Sequence, residues 1–251
     1  MKSNERSTAV SRVKAMILAA GRGERMRPLT DATPKPLLEV AGKPLMQWPM
    51  EALMAGGFTE LVVNTAWLGE QIPARFGERF GAASIAYSRE GRDFGGALET
   101  AGGIVRALPL LSDVFWVTAG DVFAPDFRFT QEAARRFIDS GRLAHLWLVP
   151  NPAHNPNGDF GIAADGGALS DAARKFTFST IGLYRAALFT APYCDIEAGN
   201  PRGVKAALAP VLRAAMKAGH VSAELHEGRW TDVGTPERLA QIQSVTPYSN
   251  P

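Results

Sequence analysis

Met16–Pro36 reads MILAAGRGERMRPLTDATPKP, and the fold is decided by how its first half is read. Met16-Ile17-Leu18-Ala19-Ala20 is a short apolar run of the kind a buried strand requires, and it stops at Gly21-Arg22-Gly23. Two glycines there let the backbone turn sharply and carry its N–H groups close to an anion, because no Cβ stands in the way. Arg22, Arg25, Arg27 and Lys35 place cations along the same stretch, offset only by Glu24 and Asp31. N–H donors combined with spaced positive charge are what a polyphosphate needs. The stretch nevertheless departs from both standard phosphate fingerprints. It has no third glycine at the dinucleotide-binding spacing and no Gly-Lys-Ser/Thr ending.

Outward from this loop, short apolar runs alternate with helical patterns. Leu45, Met46, Met50, Leu53 and Met54 recur at helical spacing up to Gly56-Gly57. Residues 60–64 predict a second strand, 68–80 a helix made irregular by Pro73, and 84–88 a third strand. A helix over 97–108 follows, closed by Pro109, and then a fourth strand over 114–118 that runs into Gly120-Asp121. This alternation means βαβ units and a mostly parallel sheet covered on both faces. The second half is less regular. It predicts a helix over 131–140, strands over 143–149, 160–164, 176–184 and 221–226, helices over 204–218 and 236–243, and a loop over 151–158. The fold class is therefore α/β, a mostly parallel central sheet with flanking helices and a smaller mixed-sheet lobe. We read 1–12 as an extension, 13–243 as one domain (nucleotide-binding part about 13–125, second part about 140–235) and 244–251 as a tail.

Composition narrows the function. The 251 residues are 46% hydrophobic, enough for a substantial core, and carry a formal charge of only +2. Global electrostatics therefore gives no support to a nucleic-acid or membrane-surface role. No apolar run approaches the roughly 20 residues of a membrane span. Cys194 is the single cysteine, which excludes an intramolecular disulfide and predicts a reducing cytoplasm. The four histidines, at 145, 154, 220 and 226, show no metal-ligand spacing.

Ligands of open parallel sheets bind at the carboxyl ends of the strands. Asp121 falls there, one glycine after an apolar strand, as a Mg²⁺ ligand or as a turn- or helix-capping residue. Lys35 lies between Pro34 and Pro36, which restrict its backbone and aim its side chain, although a solvated loop lysine has the same spelling.

LAAGRGERMRPLT at 18–30, Pro34-Lys35-Pro36-Leu37-Leu38 and Gly42-Lys43-Pro44-Leu45 together resemble the signature of the sugar-phosphate nucleotidyltransferases. The resemblance covers about residues 13–243 and implies a Rossmann-like (GT-A-like) fold. It implies that Lys35 neutralises the α-phosphate and that Arg25 holds the departing phosphates. It also implies that Leu18, Ala19, Ala20, Gly21 and Gly23 cradle the nucleotide. Trp230-Thr231-Asp232-Val233-Gly234-Thr235 resembles the family's W-x-D-V-G-T segment, which makes Asp232 the partner of Asp121 on Mg²⁺.

Within the family, Asn64–Gly69, Leu98–Ile104, Gly158-Asp159-Phe160 and Trp230–Thr235 are most similar to the branch that joins UTP to N-acetylmuramic acid 1-phosphate, a cell-wall sugar. That resemblance implies nucleotide contacts from Glu99, Thr100 and Gly103 and a sugar contact from Asp159. From the residues alone, Glu99 could equally cap a helix and Asp159 close a turn. Two sugar-side positions depart from the branch: Ala119 replaces an asparagine and Thr180 a glycine. Lost polar contacts change specificity by large factors, so the acceptor sugar could differ. Mannose 1-phosphate with GTP, glucose 1-phosphate with dTTP or UTP, phosphocholine with CTP, and a non-catalytic relative remain the alternatives. The expected chemistry is in-line attack of a sugar phosphate on the α-phosphorus, with pyrophosphate leaving. A sugar phosphate is already ionised, so no general base is required.

Overall fold

A computed structural model describes residues 13–245. The predicted extension 1–12 and all but the start of the tail lie outside them. The first half comprises β1 (Lys14–Ala19), β2 (Glu39–Val40), β3 (Lys43–Pro44), α1 (Gln47–Ala55), β4 (Glu60–Thr65), α2 (Gln71–Phe76), β5 (Arg79–Phe80) and β6 (Ala83–Arg89). α3 (Glu90–Phe94), α4 (Glu99–Ala107), β7 (Val114–Ala119), β8 (Val122–Phe123), α5 (Gln131–Ser140) and β9 (Ala144–Val149) come next. The chain ends with β10 (Gly161–Ile162), β11 (Ala168–Leu169), β12 (Thr177–Arg185), α6 (Leu208–Lys217), β13 (Val221–Leu225), β14 (Thr231–Asp232) and α7 (Pro236–Val245).

One eight-stranded sheet, in the order β13-β9-β12-β7-β1-β4-β6-β5, runs through both halves. β7, β1, β4 and β6 are parallel neighbours. β12 pairs antiparallel with both β7 and β9, and β9 pairs parallel with β13. The mixed part is thus a continuation of the parallel part. Successive β1 residues alternate faces: Ala15 and Ile17 pack with Trp116 and Phe58 on one side, Met16 with Phe115 and Val62 on the other. Burial of both faces explains the unbroken apolar spelling of the strand. Cys194 is buried in the second of these cores and is a free thiol.

Three expected elements differ. The helix expected over 68–80 is only α2, because Gly77 takes φ +64 and sends Arg79–Phe80 back to pair with β6. Residues 160–164 contribute only β10, half of a two-residue-wide hairpin with β11. Residues 204–207 are not helical, and α6 starts at Leu208.

A third apolar cluster positions the site. Met26 from the loop after β1, Val40 and Leu45 from the β2–β3 hairpin, Phe123, Val233, and Leu239 with Ile242 from α7 are all buried together. It fastens the end of the chain to the glycine loop near its beginning. Among the described residues no helix is long and apolar enough to cross a membrane.

The fit of α1 onto the rest is tight at its end, where a Cβ on Gly56 would lie 2.0 Å from the Phe129 carbonyl oxygen. Gly56→Ala is expected to cost about 1–3 kcal/mol through overpacking, read from the urea midpoint. An unchanged midpoint would show that the 124–129 loop yields freely.

Candidate active site

At the carboxyl ends of β1, β4 and β7 the surface opens into a cavity of about 290 Å³. Leu18, Ala20 and Gly21 line it from the first strand and its loop, and Asn64 lines it from β4. Glu99 and Thr100 stand on another side, with Ala119, Asp121 and Thr180 across from the Lys35 turn. Ten residues singled out from the sequence therefore converge. A Cβ on Gly21 would meet nothing within 4 Å. Packing of the chain itself does not demand a glycine there, and the open space suits a ligand approaching the backbone.

Two of the cradle residues act indirectly. Ala19 is buried and gives its N–H to Asn64 Oδ1 at 2.8 Å. Gly23 takes φ +68, and its Cβ would sit 3.3 Å from that of Lys35, so it shapes the loop beneath the lysine. The cations divide similarly. Arg22 stacks on Trp67 at 3.7 Å and donates to the Thr30 carbonyl and to Asp31. Arg27 pairs with Asp31 at 2.9 Å, and Lys43 with Glu51 at 2.5 Å. Arg25 is exposed and makes no ion pair among the described residues. A Cβ on Gly234 would reach Arg25 Nη2 at 3.2 Å and Arg238 Nη2 at 2.2 Å, so glycine at 234 makes room for two guanidinium groups.

Lys35 opens a short 3₁₀ turn, Lys35–Leu37, capped by extended Pro34. Pro36, in the first turn, takes its fixed φ there without costing a needed N–H donor. The Lys35 ammonium, largely buried, donates to the Asp121 carboxylate. β14 pairs antiparallel with β8, with Asp232 opposite Val122, and Val233 N–H donates to the Asp121 carbonyl at 2.9 Å. Asp121, in the turn that enters β8, and Asp232, on β14, are thereby neighbours in the fold although the chain separates them widely. Asp232 accepts from Arg238 Nη1 at 2.5 Å and lies 2.9 Å from His154 Nε2.

Nothing in the local sequence marks Glu90, because Arg89-Glu90-Gly91-Arg92-Asp93 reads as a solvated run. It is fully buried, lines the cavity and accepts from Asn64 Nδ2 at 2.7 Å and Leu98 N–H at 2.8 Å. Burial holds its carboxyl above the ordinary glutamate range despite these donors. The chain Ala19–Asn64–Glu90–Leu98 ties the glycine loop to the start of α4.

Two expected ligand contacts have other partners. Gly103 is buried one layer below the cavity, where a Cβ would meet Glu90 Oε1 at 2.6 Å; it spaces α4 from the carboxylate. Asp159 accepts from Phe178 N–H at 2.8 Å and Asn155 Nδ2 at 3.2 Å, which fastens the 151–160 loop to β12. Neither lines the cavity.

The nucleotidyl transferase family model matches residues 14–247. The chain belongs to that family. It is 50% identical over 240 residues to the N-acetylmuramate alpha-1-phosphate uridylyltransferase of Neisseria meningitidis serogroup B, covering 93% of this chain and 98% of that one. The Caulobacter vibrioides protein of the same name is 31% identical over 89% of this chain and 92% of its own. Mannose-1-phosphate guanyltransferase beta-B of Xenopus laevis is 28% identical over 90% of this chain and 62% of its own. A putative glucose-1-phosphate thymidylyltransferase of Bacillus anthracis, solved with a sucrose, shares the fold at TM-score 0.76 and 19% identity, over 95% and 96% of the two chains. The chain thus has the α/β, Rossmann-like fold of the nucleotidyl transferases.

Thr180 takes φ +64, a left-handed conformation that a β-branched residue adopts only under strain, which explains why glycine is the easier residue there. Thr180→Gly is expected to leave the thermal midpoint unchanged or raise it, since relief of about 1–2 kcal/mol of strain offsets the entropy of a glycine. A clear fall would show that the threonine side chain stabilises the fold.

Proposed function

We propose that this protein joins UTP to N-acetylmuramic acid 1-phosphate and releases pyrophosphate. One observation supports the reading above all: Lys35 and Asp121 meet at the strand ends in a chain that is 50% identical, over 93% of its length, to a uridylyltransferase of that name. The nucleotide would lie over Leu18–Gly21, with Glu99 and Thr100 along its side and the acceptor sugar towards Ala119 and Thr180. Lys35 would leave Asp121 for the α-phosphate, and Arg25 would take the departing β- and γ-phosphates. The protein's contribution is then positioning and charge compensation, with no covalent intermediate and no general base.

Mg²⁺ is the metal this donor set fits. Asp121, in the turn that enters β8, and Asp232, on the neighbouring β14, would supply hard oxygen. Two carboxylates leave the remaining positions to phosphate oxygens and water, as Mg²⁺ prefers. Bound there, the cation would neutralise charge developing on the phosphates. The lone, buried thiol of Cys194 suits a reducing cytoplasm.

Pyrophosphate release with Mg²⁺, measured over a matrix of triphosphates and sugar 1-phosphates, tests the reading. The highest kcat/KM is expected for UTP with N-acetylmuramic acid 1-phosphate; release only with GTP would reassign the base, and none with any pair would defeat the reading. Lys35→Ala and Asp121→Ala are each expected to lower kcat at least about 10²–10³-fold while keeping the circular-dichroism melt near that of the wild type. A collapse of the melt instead would make the pair a structural one. Removal of divalent cations with EDTA is expected to abolish turnover, and Mg²⁺ to restore it.

A further inference from the structure

Gly234 is where two arginines far apart in the chain meet. A Cβ there would lie 2.2 Å from Arg238 Nη2 and 3.2 Å from Arg25 Nη2, so both guanidinium groups reach one point above the backbone. Packing fixes this meeting. Arg25 belongs to the 3₁₀ turn Glu24–Met26, and Arg238 to the first turn of α7. Met26 and Val233, next in the chain to Arg25 and Gly234, are buried in one apolar cluster with Leu239, which follows Arg238. That cluster holds the backbone from beneath while the two cations stand over it.

The fork of Arg238 is only half used. Nη1 donates to Asp232 Oδ1 at 2.5 Å and lies 2.8 Å from His154 Nε2. Nη2, the nitrogen over Gly234, makes no hydrogen bond among the described residues. The side chain is 13% exposed, so a ligand can reach it. Arg25 likewise has no carboxylate partner among the described residues. Like charges held together repel, and an anion between them removes the repulsion. Two guanidinium forks sharing one point suit phosphate oxygens, which they grip in a bidentate manner.

The anion must carry several charges and lie on the glycine-loop side of the cavity. On the nucleotidyl-transfer reading, Lys35 takes the α-phosphate, and in-line displacement brings the acceptor phosphate in from the side opposite the leaving group. The departing phosphates are what remains beside Arg25. We propose, on that reading of the same site, that Arg238 is a second guanidinium for the departing pyrophosphate, facing Arg25 across Gly234. In the ligand-free protein Asp232 occupies Nη1. Once Asp232 serves the metal, the whole fork is free for β- and γ-phosphate oxygens. The electron pair of the breaking Pα–O bond passes to the β-phosphate, and the two guanidinium groups meet that charge without a proton transfer.

Isothermal titration calorimetry with Mg²⁺ and no acceptor, so that nothing turns over, tests the role. UTP, UMP and inorganic pyrophosphate are titrated against the wild type, Arg238→Met and Gly234→Ala. The first variant keeps the length of the side chain and removes its donors; the Cβ of the second pushes the guanidinium aside. Both are expected to weaken UTP and pyrophosphate by roughly 10-fold to 100-fold, the range of a hydrogen bond to a charged group, and to leave UMP within about 2-fold. Should Arg238→Met fail to fold, Arg238→Lys, which keeps a charge for Asp232 and loses the fork, is held to the same comparison with a smaller loss on UTP expected. Unaltered affinity for UTP and pyrophosphate would overturn the proposal. An equal loss on UMP would overturn it too, by making Arg238 a support of the nucleotide pocket as a whole. A wild type that holds pyrophosphate but not UMP, with pyrophosphate lost in Arg238→Met, would defeat the uridylyl reading and keep the proposal. A wild type that holds neither UTP nor pyrophosphate would defeat both.

Discussion

The pairing of Thr231–Asp232 with Val122–Phe123 is the contact on which the site depends. Two hydrogen-bonded residues per strand could not hold such a ribbon alone; short strand pairs are marginal in water. The apolar cluster beneath it supplies the rest, with Phe123 and Val233 from the ribbon buried beside Met26 and the α7 residues. One small core thus fixes the glycine loop, the carboxylate after β7 and the carboxylate near the end of the chain in a single body. Local sequence has no means of joining them. Burial does.

Both carboxylates of this body face cations before any ligand arrives, while Arg25 makes no ion pair among the described residues. Asp121 has Lys35, and Asp232 has Arg238 with His154 beside it. On the proposed reading, Lys35 and Arg238 would turn to phosphate oxygens while Asp121 and Asp232 would hold the metal, so that no isolated charge would arise. Such an exchange would leave neither carboxylate buried without a partner. Arg22, Arg27 and Lys43 stay outside it, committed to Asp31 and Glu51.

Much of this was legible in the residues. The strand–glycine–cation order of 16–36 marks the site because it depends on local chemistry, and the alternation up to Asp121 gives the parallel half of the sheet. The helix over 131–140 is spelled by its own apolar spacing and capped by Thr130, whose hydroxyl accepts from Ala133 N–H. What escaped depends on distant partners. Glu90 looks like a surface residue until Asn64 and Leu98 enclose it. Gly103 and Asp159 carry family motifs, yet their surroundings occupy them with Glu90 and Phe178. The φ of Thr180 arises only when β12 meets β7.

The account's central claim is that Asp121 and Asp232, brought together by the β8–β14 pairing, share one divalent cation with the triphosphate. Electron paramagnetic resonance of Mn²⁺ with UTP, titrated against the wild type, Asp121→Asn, Asp232→Asn and the double variant, tests it most directly. The account requires one bound Mn²⁺ in the wild type, severe weakening in each single variant, and a double variant little worse than either, as expected for two ligands of one ion. Full Mn²⁺ affinity in Asp232→Asn would contradict it.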